Sequence, residues 1–167
     1  MRTKTLFVAV ATIIVFAAIA FSFTPSGLLT ADEVSVERGL YVSIIGGCHD
    51  CHTEFYVQSE GKIDPSKAMK GSSIGWRGTW GTTYPANLRL LASTKDEAQF
   101  VVYMKTLQAA PPMSSFNVNA MHESDLRSLY RYVKSLGEPG DPAPPSVWQG
   151  EPQTPYITID PPTKPKS

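Results

Sequence analysis

The chain contains two cysteines, Cys48 and Cys51, and both fall in the pentapeptide Cys48-His49-Asp50-Cys51-His52. Three chemistries compete for such a pair. A structural zinc site needs four ligands, and no second cysteine pair exists to supply them. A thioredoxin-like redox pair ordinarily follows a strand in a βαβ pattern, and none is apparent here. The third reading is attachment of one haem c, each sulfur forming a thioether with a vinyl group of the porphyrin. Two intervening residues put both sulfurs on one turn of backbone. His52 then lies under the ring and can offer its imidazole to the iron as proximal ligand. Outside the cytoplasm an idle pair would oxidise to a disulfide, which is the alternative this reading must beat. His49 occupies the variable slot of the motif and is expected to face solvent.

A second axial ligand is sought on the far side of the ring. Met113 lies 61 residues beyond His52, in Ala110-Pro111-Pro112-Met113-Ser114-Ser115-Phe116. The two prolines restrict the chain and hold the methionine in a rigid loop. Met121 is its rival, but its place at the start of a helix makes packing the simpler role. Met69 and Met104 are more distant candidates, and Met104 reads as core. A thioether favours ferrous iron, and with both axial positions filled the iron has no site for substrate. Such a centre passes electrons and is not itself an enzyme.

The rest of the central region is read by periodicity. Asp32 to Gly46 is expected to be a helix, with Val36, Leu40 and Ile44 at helical spacing and Gly46-Gly47 as its stop. A second helix is expected over 95–108, capped by Ser93 or Thr94, with Phe100, Val101, Met104 and Leu107 inward. A third is expected over 123–136, with Leu126, Leu129, Tyr130 and Val133 as its stripe and Gly137 after its end. Residues 54–92 show little periodicity, and a loop of that length suits a compact domain only if it packs on a cofactor. Trp76, Trp80, Tyr84 and Arg89 are then candidates to hydrogen-bond the propionates, with ordinary core as the competing role for the aromatics.

The two ends differ from this centre. Arg2 and Lys4 precede an uncharged stretch of 18 residues, Leu6 to Phe23. As a helix it would reach roughly 27 Å, near the thickness of a bilayer's hydrocarbon core. The basic residues predict an N-terminus left in the cytoplasm and a domain carried outside. A small-residue cleavage site at Ala18 and Ala20 competes with retention as an anchor, and the length of the run favours the anchor. After Gly137 come nine prolines in thirty residues, which predicts an extended tail. Trp148, Tyr156, Ile157 and Ile159 point to part of it lying along the domain or a partner, with a disordered tail as the competing expectation. The expected division is therefore 1–31 as signal peptide or anchor, 32–137 as the haem domain and 138–167 as tail.

Lys and Arg together number 15, as do Asp and Glu, so no global field argues for nucleic acid. Between Lys62 and Lys105, however, seven basic residues face three acidic ones. A solvated face with loose ion pairs is the simpler account, and a surface steering an acidic partner the sharper one.

The order Cys-His-Asp-Cys-His, then Tyr84-Pro85-Ala86-Asn87-Leu88, then Pro112-Met113, then Asp125-Leu126-Arg127-Ser128-Leu129-Tyr130-Arg131-Tyr132 resembles class I c-type cytochromes over about residues 34–137. It also resembles the haem domains of periplasmic dehydrogenase cytochrome subunits, although those often carry several attachment motifs and this chain has one. The resemblance implies an all-α fold wrapped around one covalent haem, with first and last helices crossing near the attachment turn. Leu40 and Tyr41 would meet Tyr130 and Val133 at that crossing. The function expected is electron transfer on the periplasmic side of a bacterial inner membrane, between a donor dehydrogenase and an acceptor oxidase or cytochrome. The alternative is a cytochrome subunit of a larger dehydrogenase or oxidase complex.

Overall fold

A computed structural model of the chain describes residues 33–162. The apolar stretch from Leu6 to Phe23, with the anchor or signal peptide expected there, lies outside these residues. Among the described residues no helix is long and apolar enough to cross a membrane.

The first helix, α1 (Val36–Ile45), begins where Ser35 turns extended and its hydroxyl accepts the Arg38 amide at 3.1 Å. A short second helix, α2 (Cys48–His52), carries the attachment pentapeptide. Then come β1 (Gly75–Gly78), β2 (Gly81–Thr83), α3 (Leu88–Ser93), α4 (Glu97–Lys105), α5 (Ser115–Ala120), α6 (Glu123–Ser135) and β3 (Tyr156–Thr158). The helix expected over 95–108 is α4, and its cap is Asp96 and not Ser93 or Thr94. The Asp96 carboxylate accepts the Gln99 amide and the Gln99 side chain accepts the Asp96 amide, so two orphan donors are satisfied reciprocally.

The helices α1 and α6 cross at Gly39. A Cβ placed there would lie 2.0 Å from the Ser128 carbonyl oxygen, so only glycine allows the two backbones this close. Arg38 fastens the crossing through Asp125 at 2.8 Å. Leu40 packs against the buried core cluster that includes Val133. Tyr41 does not: it is 45% exposed, with the Arg38 guanidinium over its ring. The core itself is made by Phe100, Val101 and Met104 of α4, Leu126, Leu129, Tyr132 and Val133 of α6, Leu88 and Ala92 of α3, Val118 of α5, and Met69.

The all-α expectation is overturned by a three-stranded mixed sheet in the order β2-β1-β3. β1 and β2 form an antiparallel hairpin, with Trp76 opposite Thr83 and Gly78 opposite Gly81 across the two-residue turn Thr79-Trp80. β3 comes from the proline-rich region and lies parallel to β1, with Gly75 opposite Tyr156 and Arg77 opposite Thr158. The physical reason is backbone supply. Residues 72–84 have no helical pattern, and their amides find partners in each other and in the tail. The Gly75 amide donates to Pro155 at 2.8 Å, Ile159 donates to the Arg77 carbonyl at 2.7 Å, and Thr82 and Val147 exchange two bonds at 2.8 Å. Arg77 adds a paired contact to Glu151. The tail up to Pro162 therefore lies along the domain, in one compact unit with the helices.

Candidate functional site

Gly47 adopts a left-handed conformation (φ +65°) that turns the chain out of α1 and starts α2. Cys48 and Cys51 stand on α2 as free, partly buried thiols. Burial pushes the Cys48 thiol up to about 11, and Cys51 also lies above its ordinary value through burial. Both groups are therefore neutral thiols near pH 7, and the thiolate that drives disulfide exchange is scarce.

His52 is buried at the end of α2, and its Nδ1 lies 2.7 Å from the carbonyl oxygen of Ala86. A carbonyl only accepts, so Nδ1 carries the proton and Nε2 carries the lone pair. This is how a metal-binding histidine is oriented by its neighbours. Burial holds the imidazole below its usual pKa, which keeps that lone pair available. The 85–87 segment is placed by Gly71. The Gly71 amide donates to the His52 carbonyl at 2.9 Å, and its would-be Cβ lies 2.5 Å from the Pro85 carbonyl oxygen. Gly71 also sits at φ +80°, where a side chain would be strained.

His49 departs from its expectation of facing solvent. It is fully buried, with Nδ1 2.7 Å from the Thr53 hydroxyl and Nε2 3.1 Å from the Tyr132 hydroxyl. Tyr56 packs on its ring. Burial lowers its pKa to about 4, so it is neutral and serves as a polar tie between α2 and α6.

The methionines separate clearly. Met113 is 37% exposed in its loop, which Thr83 fastens by donating to the Pro111 carbonyl at 2.6 Å. The Ser115 hydroxyl closes the same loop by accepting the Ala109 amide. Met121 packs instead beside the attachment helix. A Cβ on Gly46 would meet the Met121 methyl at 3.2 Å and the Cys48 sulfur at 3.7 Å. Met69 and Met104 are core.

Among the expected propionate partners, Trp80 stands apart. Its Nε1 is buried and has no hydrogen-bond partner among the described residues, and neither does the buried hydroxyl of Thr82, which sequence reading missed. A buried donor without an acceptor is costly, and two on one hairpin suit an anionic group absent from the polypeptide. Tyr84 accepts a bond from the Thr154 hydroxyl at 2.8 Å. Trp76 sits in β1. Arg89 is buried and donates to the carbonyls of Ala68, Leu136 and Pro65 at 2.5–2.7 Å, so it clamps the loop and the end of α6. The residues together fit haem c: two free thiols, one histidine with its Nε2 uncommitted, a methionine in a fastened loop and buried donors with no acceptor.

The basic stretch does not form one open surface. Arg77 pairs with Glu151, Arg89 is buried, Lys105 donates to the Asn119 and Met121 carbonyls, and Lys67 and Lys95 lie over the rings of Phe55 and Tyr103.

The chain is 29% identical over 145 residues to the cytochrome c subunit of alcohol dehydrogenase (quinone) from Gluconacetobacter polyoxogenes, covering 81% of this chain and 30% of that subunit. The corresponding subunit from Komagataeibacter europaeus matches to the same extent. The match thus spans less than a third of the length of these relatives. No family model and no solved structure matches the chain.

Proposed function

We propose that this chain is a monohaem c-type electron carrier, in which Cys48 and Cys51 bind one haem c covalently and His52 and Met113 ligate its iron. The observation that carries the reading is the His52–Ala86 hydrogen bond, which presents Nε2 as the free ring nitrogen beside two free thiols. Bound haem c supplies a one-electron ferric–ferrous couple. The polypeptide supplies the rest. Cys48 and Cys51 fix the ring to α2, and Trp80 offers its buried N–H to a propionate. Arg89 and Gly71 hold the loop that presents Ala86. The likeness to cytochrome c subunits supports the same reading. The carrier would work on the periplasmic side of the membrane, anchored or released at its N-terminal segment, and hand electrons from a dehydrogenase to an oxidase or another cytochrome.

The test is reversible reduction of the haem-loaded chain. One electron per chain, taken up under mild reductant and returned to an oxidant, is the expected result; a haem-loaded chain that does not cycle contradicts it.

A second reading, as the cytochrome subunit of a dehydrogenase complex, is favoured by the relatives' own description. Co-purification with a dehydrogenase from native membranes would favour this reading over a free carrier.

A further inference from the structure

The tail does more than cover the hairpin. Asn87 is 5% exposed, and both protons of its amide nitrogen are engaged by tail carbonyls, Pro139 at 2.7 Å and Asp141 at 2.8 Å. Its oxygen accepts the Leu90 amide at 2.9 Å and so caps α3. The peptide group that joins Asn87 to Ala86 is planar and rigid. Its oxygen is the atom that receives the His52 Nδ1 proton. The tail turn at 139–141 is therefore linked to the His52 Nδ1 through two hydrogen bonds, joined by the Asn87 side chain and its peptide bond to Ala86.

We infer that the C-terminal tail is a strap that tunes the haem iron, by locking Asn87 and through it the carbonyl that accepts the His52 proton. Asn87 is a positioning residue in this scheme. A firm Nδ1–H···O=C bond makes the imidazole a stronger donor to the metal, and a stronger donor stabilises ferric iron. Loosening the strap weakens that bond and moves the equilibrium towards ferrous iron. The inference rests on the haem reading above.

Two variants of the full chain test it. Asn87→Asp keeps the oxygen that caps α3 and loses both donors to the tail. Gly140→Val acts from the tail alone. Gly140 sits at φ +72°, which a β-branched residue resists, while its would-be Cβ meets only the Lys70 side chain at 3.5 Å. Both variants should remain low-spin and covalently loaded, with the ferric–ferrous equilibrium moved towards ferrous by about tenfold, which is about 59 mV for one electron. The His52 Nδ1 proton should exchange faster with solvent in both. The double variant should shift no further than the larger single shift, since both act by one route. Loaded variants with the wild-type potential and wild-type proton protection would overturn the strap alone. Chains that never acquire covalent haem would overturn the strap together with the haem reading.

Discussion

His52 and Ala86 lie 34 residues apart in sequence, and the imidazole Nδ1 meets the carbonyl oxygen at 2.7 Å. That bond fixes the tautomer and leaves the lone pair on Nε2. The loop between them, with its glycine at 71 and its hairpin, is what brings the two together. The clearest consequences concern groups whose partners the polypeptide does or does not supply.

Trp80 carries a buried N–H with no acceptor among the described residues. In the apo chain Trp80→Phe should be neutral or stabilising, because it removes an orphan donor worth about 1–3 kcal/mol of desolvation. In the haem-loaded chain the same change should destabilise by about 1.5–3 kcal/mol, since a bond to a charged group is lost. Denaturant unfolding of both forms checks the reversal of sign. The same sign in both forms would remove Trp80 from the site.

The helix crossing makes a prediction independent of cofactor. Gly39→Ala would put a methyl group 2.0 Å from the Ser128 oxygen. It should cost about 3 kcal/mol or more, at the upper end of overpacking, because backbone and not a flexible side chain must give way. Chemical denaturation of the variant measures it, and a loss under about 1 kcal/mol would mean the helices separate easily.

His49 predicts a pH window. Its pKa is about 4 in the fold against 6.5 ordinarily, so the unfolded chain takes up the proton first as the pH falls. Its contribution is whole above about pH 6.5 and is lost as the pH falls through about 4. His49→Phe should lower stability at pH 7 by about 1–3 kcal/mol by removing the buried bonds to the Thr53 and Tyr132 hydroxyls. It should also flatten the fall in stability between those two pH values. An equally steep fall in the variant would assign the acid sensitivity to other groups.

The thiols should be slow. With Cys48 raised to about 11 by burial, alkylation of the apo chain near pH 8 should proceed well below the rate of a free cysteine. Cys51, the less enclosed of the two thiols, should label ahead of Cys48. Rapid and equal labelling of both, followed by mass spectrometry, would contradict the burial of this turn.

Much of this was legible before the structure. The spacing of the pentapeptide is what the haem proposal starts from, and the stripes of α4 and α6 place Phe100, Val101, Met104, Leu126, Leu129 and Val133 in the core. The sheet was not legible. Its strands are three or four residues long, β3 is exposed throughout, and its parallel partner lies about eighty residues back in the chain. Strands this short, one of them exposed throughout and the others built from Gly, Thr, Trp and Arg, carry no readable alternation of apolar and polar residues. His49 was missed for a related reason: its burial depends on Tyr132, 83 residues away. Thr82 was missed because a threonine in a glycine-rich stretch reads as turn, and only the fold reveals that its hydroxyl is enclosed.

The most direct test is the absorption spectrum of the haem-loaded chain, oxidised and reduced, with carbon monoxide added to the reduced form. The account predicts covalent haem with a low-spin spectrum that carbon monoxide leaves unchanged, and a Met113→Ala variant that keeps its haem but binds the gas. A wild-type spectrum that shifts with carbon monoxide, or a Met113→Ala variant indistinguishable from wild type, would contradict the ligation by His52 and Met113.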